Sequence, residues 1–127
     1  MYVAGGPHPN REPSRRLLED VRAGLVDGCT STEVLQEILY RYSALGRRKD
    51  AQRVYDLFVQ ICPVIFDVTL ADTDGARDLL SSIDRISARD ALHAAVMRNH
   101  RVATIATFDA DFDAIPGIKR LQPASAS

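Results

Sequence analysis

The apolar positions of this chain fall into helical runs separated by short strand-like ones. Leu17, Leu18, Val21 and Leu25 recur at helical spacing from about Ser14, with Gly24 as the stop. Leu25 to Cys29 reads as a short strand. Thr30 followed by Glu33 reads as a capping box opening a helix through about Leu45, apolar on Val34, Leu35, Ile38, Leu39 and Tyr42 and broken by Gly46. Arg47 to Ile61 is a second helix, carrying Ala51, Val54, Tyr55, Phe58 and Ile61. Pro63 ends it, and Val64-Ile65-Phe66-Asp67-Val68 is a strand candidate. Leu70 to Ile83 has Ala76, Leu79 and Leu80 at helical spacing, and Ser87 caps an Ala-rich helix running to about Asn99. Val102 to Ala106 is a short apolar run of the kind found in buried parallel strands. Residues 109 to 115 form a loop or short helical turn, and Ile118 to Leu121 is a last strand.

Pro7, Pro9 and Pro13 make the start an irregular lead-in, and the Pro-Ala-Ser-Ala-Ser tail, residues 123–127, is expected to be disordered. Helices between short apolar strands predict an α/β sandwich with a parallel sheet, and 127 residues fit one domain, here 1–122. In such sheets the functional crevice lies beyond the carboxyl ends of the strands.

Composition narrows the function little. The chain is 46% apolar and 26% charged, as in ordinary soluble proteins. A net charge of −1 means that no overall basic character announces nucleic acid, although bound metal ions can supply the charge that meets phosphate. Cys29 and Cys62 show no zinc spacing and read as two buried thiols in a reducing compartment. No apolar run approaches the roughly 20 residues that span a bilayer. No signal peptide is evident, so the cytoplasm is the default location. A glycine-rich phosphate loop is absent, which speaks against a small nucleotide-binding domain; Gly5-Gly6 precedes Pro7 and cannot serve.

The candidate chemistry lies in carboxylates. Asp90 comes three residues after Ser87 and, taken alone, is the acid of a capping box. Asp109, Asp111 and Asp113, taken alone, make a solvated turn. Glu37 sits at the edge of an apolar stripe, where a carboxylate must be hydrogen-bonded, paired or metal-bound; its plain explanation is an ion pair with Arg41, four residues on. His93, one turn after Asp90, reads as a packed or exposed helix histidine, and the sequence alone assigns no role to His8 or His100. Arg47, Arg48, Lys49 and Arg53 form the densest basic cluster, usually a solvated face but able to touch RNA phosphates. Carboxylates gathered without matching cations repel one another unless a divalent metal lies between them.

Three segments together resemble the PIN domain, and more closely the toxin nuclease of a VapBC-type toxin–antitoxin pair. Ser31-Thr32-Glu33-Val34-Leu35-Gln36-Glu37-Ile38-Leu39 resembles the segment bearing the family's second acid, which falls on Glu37. Ser87-Ala88-Arg89-Asp90-Ala91-Leu92-His93-Ala94-Ala95 resembles the helix start with the third acid, Asp90. Thr107-Phe108-Asp109-Ala110-Asp111-Phe112, with Ile115-Pro116-Gly117-Ile118 after it, resembles the closing motif, with Asp109 the leading candidate and Asp111 the second. The similarity spans nearly the whole chain.

One departure stands out. The family opens with an apolar strand ending in Asp, whereas Met1-Tyr2-Val3-Ala4-Gly5 resembles the stretch just after that Asp, and no Asp occurs before position 20. A start assigned too far downstream, a shortened form and a degenerate relative compete as explanations; the intact remainder of the motif set favours the first. The expectation is a chain weakly active or inactive as it stands.

The resemblance implies an α/β/α sandwich with a short central parallel sheet flanked by helices. It also implies a metal-dependent endoribonuclease in which Glu37, Asp90, Asp109 and Asp111 hold one or two Mg²⁺ or Mn²⁺ ions. The implied partners are RNA, a cognate antitoxin that packs on the toxin's helices, and a second copy in a homodimer. The helix pair from Thr32 to Ile61 is the surface to watch for the antitoxin. The alternative is a module of the same fold that binds RNA or an antitoxin without cleaving.

Overall fold

The computed structural model describes residues 11–25, 28–107 and 109–121. The lead-in through His8 and Pro9 and the tail at 123–127 lie outside the described residues. Those described form two compact units, divided after Asp67.

The first unit contains α1 (Arg11–Arg22), β1 (Cys29–Ser31), α2 (Thr32–Ala44), α3 (Arg48–Ile61) and β2 (Val64–Phe66). Helix α1 starts three residues earlier than the periodicity predicts. Pro13 sits in its first turn, where a missing N–H removes no helical hydrogen bond. Strand β1 begins where the predicted strand ends, and it pairs in parallel with β2, Cys29 opposite Val64 and Ser31 opposite Phe66. Thr30 is therefore a buried strand residue and not a cap. The cap falls to Ser31, whose Oγ accepts a hydrogen bond from the Val34 N–H at 3.3 Å.

Helix α2 ends at Gly46, with φ at 72°. The Arg47 N–H reaches the Tyr42 carbonyl at 2.8 Å and the Gly46 N–H reaches Ser43 at 3.0 Å, a left-handed cap that satisfies two orphan carbonyls. The core joins Leu35, Ile38 and Tyr42 of α2 to Ala51 and Val54 of α3, with Ile65 of β2 packed against it.

The second unit contains α4 (Leu70–Ser82), α5 (Ala88–Asn99), β3 (Thr104–Ala106), a 3-10 helix (Ala110–Ala114) and β4 (Lys119–Leu121). Strands β3 and β4 are also parallel, Thr104 opposite Lys119 and Ala106 opposite Leu121. Helices α4 and α5 approach through small residues. Ala91 and Ala94 are wholly buried, and a Cβ placed on Gly75 would lie 3.2 Å from the Cβ of Ala95.

Asp72 locks this pair. It is 1% exposed, and its Oδ2 accepts from the Thr69 N–H at 2.9 Å while its Oδ1 accepts from Asn99 Nδ2 at 2.7 Å. Burial opposes ionisation, but the hydrogen bonds from Asn99 and Thr69, with His100 nearby, prevail and hold the carboxyl below its ordinary value. Phe112, Ile115 and Ile118 belong to the same core as α4 and α5, which anchors the 3-10 helix and the turn after it.

Parallel strands among helices in both units match the expected α/β architecture. No helix among the described residues is long and apolar enough to cross a membrane.

Candidate metal centre

Two local devices place the acids of the second unit. Ser87 caps α5, its Oγ accepting from the Asp90 N–H at 3.1 Å, so Asp90 lies in the helix's first turn. The run after β3 is shaped by short side chains bonding to nearby backbone. Thr107 Oγ1 accepts from the Asp109 N–H at 3.0 Å, and Asp109 Oδ1 accepts from the Asp111 N–H at 2.9 Å, making Asp109 the cap of the 3-10 helix. Phe112 and Ile115 bury the far side of that element, and Arg98 of α5 donates to the Pro116 carbonyl at 2.6 Å.

These devices bring one carboxylate oxygen from each of Asp90, Asp109 and Asp111 within 4.8 Å of one another. Asp90 is half-buried, and Asp109 and Asp111 are exposed. Among the described residues no lysine or arginine forms an ion pair with any of the three. Desolvation pushes the Asp90 carboxyl above its ordinary value. The charge of Asp109 adds to this, the Ser87 hydroxyl and His93 partly oppose it, and Asp111 contributes further. Three hard oxygen donors with uncompensated like charge fit a divalent cation such as Mg²⁺ or Mn²⁺, which would relieve the repulsion that raises Asp90.

The remaining acids are spoken for. Asp113, in the same short helix, is bonded to Arg120 of β4 at 3.2 and 3.3 Å. Glu37 stands half-buried on α2 in the first unit, where the Arg41 Nε lies 2.9 Å from its carboxylate, the pair that the four-residue spacing offers.

Sequence reasoning passed over two contributors, His93 and Thr107, and named a third, Ser87, as a cap. His93, set aside as a plain helix histidine, is half-buried and electrostatically coupled to Asp90. Thr107 and Ser87 orient the two acidic segments. Their signal is a hydroxyl residue two or three positions before an Asp. Cys29, expected to be buried, is exposed where β1 begins, whereas Cys62 is buried; both are free thiols. Partial burial raises the Cys29 thiol, and burial with Cys29 nearby raises Cys62, so neither is poised as a nucleophile.

Comparison with known proteins shows the family. The PIN-domain family profile matches residues 1–118. The chain is 41% identical over 121 residues to ribonuclease VapC13 of Mycobacterium tuberculosis, covering 95% of this chain and 92% of the relative. A VapC ribonuclease of Mycobacterium bovis matches to the same extent. Ribonuclease VapC23 of Mycobacterium tuberculosis is 36% identical over 109 residues, 86% of each chain. No solved structure matches the chain significantly. With the profile covering nearly all of the sequence and these relatives matched almost end to end, the chain belongs to the PIN-domain family as a VapC-type member.

Proposed function

We propose that this protein is a metal-dependent endoribonuclease, the toxin of a type II toxin–antitoxin pair, and that Asp90, Asp109 and Asp111 form its metal-binding centre. The observation that carries the reading is the approach of those three carboxylates within 4.8 Å with no basic ion-pair partner among the described residues. The relatives' names, all ribonucleases, support the RNA substrate.

Asp90, Asp109 and Asp111 would hold one or two Mg²⁺ or Mn²⁺ ions through oxygen donors. A bound ion of this kind supplies an acidified water and neutralises charge on the scissile phosphate. The chain's own part is positional. Ser87 and Thr107 fix the two acidic segments. Asp109 gives Oδ1 to the Asp111 N–H, which leaves Oδ2 for a metal. His93, half-buried on the same helix, partly opposes the effect of burial and Asp109 on Asp90. The family resemblance adds Glu37 to the set, in competition with its Arg41 ion pair. We further propose that residues 1–122 act as one PIN-like domain in the cytoplasm, as a homodimer neutralised by a cognate antitoxin on the helix pair from Thr32 to Ile61.

The test is cleavage of a mixed structured-RNA pool in Mn²⁺ or Mg²⁺ and in chelator, beside Asp90→Asn. Metal-dependent cutting, weak in this chain and absent in the variant, is the expected result. RNA binding without cutting in either metal would replace the nuclease with the non-catalytic module.

A further inference from the structure

The corner between α2 and α3 carries a charge pattern that the fold does not need. From Tyr40 to Arg53 five basic side chains, Arg41, Arg47, Arg48, Lys49 and Arg53, face one acid, Asp50, so this segment is +4 in a chain of net charge −1. Structure accounts for part of it. Arg41 pairs with Glu37, and Arg47 Nε donates to Asp50 at 2.7 Å while lying over the Tyr42 ring, 5.9 Å from its centroid. Arg53 reaches Asp50 only at 3.7 Å.

Arg48 and Lys49 are different. Both are exposed, and neither forms an ion pair among the described residues. Both also occupy the first turn of α3, where the helix dipole disfavours cations. Their placement works against the helix, and Asp50 alone, already engaged with Arg47 and Arg53, offsets it. On the preceding turns of the same corner Tyr40 is 60% exposed and Leu45 is 70% exposed, and both line a shallow hollow with Arg41, Tyr42 and Ala44. Cations without an ion pair among the described residues, on a corner that also exposes an aromatic ring, fit single-stranded RNA, with phosphates on the basic groups and a base on the ring.

We propose that the Tyr40–Arg53 corner is an RNA-holding surface, with Arg48 and Lys49 contacting phosphates and Tyr40 stacking on a base. This rests on the ribonuclease reading and adds to it a cationic anchor outside the carboxylate centre. The centre's own charge repels RNA before metal binds, so affinity has to come from elsewhere on the protein.

The test uses the full chain, a short fluorescein-labelled single-stranded RNA of mixed sequence, and chelator, so that binding is read without cleavage. Arg48→Gln/Lys49→Gln is expected to weaken binding at least tenfold. Losing two phosphate contacts should flatten the slope of log affinity against log salt by about 1.4. Tyr40→Ala should weaken binding, and Tyr40→Phe should restore it. In Mn²⁺ the double variant should raise KM with kcat unchanged, the mark of lost uniform binding. Its melting temperature should stay level or rise, because the two cations oppose the dipole, and Arg48→Lys/Lys49→Arg should bind as the parent does. Asp90→Asn should bind the RNA in chelator as well as the parent but not cut it in Mn²⁺.

Unchanged affinity and salt slope in the double variant, with cleavage intact in the parent, overturn the surface and leave the nuclease standing. Absence of cleavage by the parent in either metal, with the double variant still losing RNA affinity, replaces the nuclease with the non-catalytic RNA-binding module and leaves the surface standing. Unchanged RNA binding with lost affinity for polyglutamate assigns the corner to an acidic protein and likewise overturns the proposal.

Discussion

The two units handle carboxylates in opposite ways. In the first, acids near the α2–α3 corner have a basic partner three or four residues away on the same helix or at its cap, as in Glu37–Arg41 and Arg47–Asp50. In the second, three acids from two separate segments converge with no such partner among the described residues, while a fourth, Asp72, is buried and fully hydrogen-bonded. Local pairing neutralises charge wherever the helix runs. Convergence concentrates charge at one point and leaves it for a cation. The cores differ to match. Large side chains such as Ile38 and Tyr42 fill the first, whereas alanines and Gly75 let α4 and α5 close tightly in the second. Tight helix packing with the 3-10 helix anchored on the same core suits a site that needs carboxylates held at fixed spacing.

The largest expected effect separates the two classes of acid by function. Asp90→Asn should lower metal-dependent cleavage by at least ~100-fold, as loss of a ligand exceeds the usual cost of losing its supporting partner. The same variant should not destabilise the protein. Because the folded-state carboxyl is raised above its ordinary 3.8, Asp90 contributes stability at low pH that disappears as pH rises through the raised value. In chelator at neutral pH, Asp90→Asn should therefore melt at or above the parent, and Mn²⁺ should raise the melting temperature of the parent much more than that of the variant. A clear loss of stability in chelator would break the view that these acids repel one another.

Removing Ile38, 1% exposed, as Ile38→Ala should cost about 2–5 kcal/mol in urea denaturation. Ala94→Leu, which inserts bulk between tightly packed helices, should cost about 1–3 kcal/mol. If the alanine site accepts leucine freely, the contrast between the cores is wrong. Asp72→Ala should cost about 1–3 kcal/mol, because Asn99 and the Thr69 N–H lose their acceptor. The pH sign is opposite to that of Asp90. Asp72 is held below its ordinary value, so its contribution is present above pH 3.8 and is lost as pH falls through the folded value. Acid titration of the melting temperature should show a shallower fall in Asp72→Ala than in the parent.

The smallest effect expected is at the left-handed cap of α5. Arg101 has φ at 57°, and the Val102 N–H reaches the Met97 carbonyl at 2.8 Å in the arrangement that Gly46 makes for α2. Arg101→Gly should be level or stabilise by up to about 1 kcal/mol, since glycine occupies that conformation without a Cβ clash.

Glu37 offers the sharpest test of the comparison. As one half of a helical i,i+4 pair with the exposed Arg41 it is worth about 0.3–0.5 kcal/mol, so Glu37→Gln should barely move stability. If it also serves as a ligand, the same substitution should cut cleavage by tenfold or more. Activity at the parent level would leave it with the local acids of the first unit.

Local rules made much of this protein legible in its sequence. The Ser87 cap and the α5 span come from a hydroxyl before an Ala-rich run, the Glu37–Arg41 pair from four-residue spacing, and the ends of α1 and α2 from Gly24 and Gly46. The Thr30–Ser31 boundary was not legible, because strand pairing with β2 claimed Thr30 and left Ser31 to cap. The burial of Asp72 was also hidden. Its partner Asn99 is 27 residues away, and periodicity carries no information on such a contact. Asp113 shows the same limit from the other side. Residue type and spacing alone did not separate it from Asp109 and Asp111; the family resemblance left it out, and in the structure it pairs with Arg120 of β4.

The sequence by itself determined most of the elements, the Ser87 cap and the candidate acids, since these depend on side chains within one turn of one another. Tertiary structure alone decided which acids meet. The distance from Asp90 to Asp109 and Asp111 is set by how tightly α4, α5 and the 3-10 helix pack on one core, a property of the whole assembled unit and of no single segment.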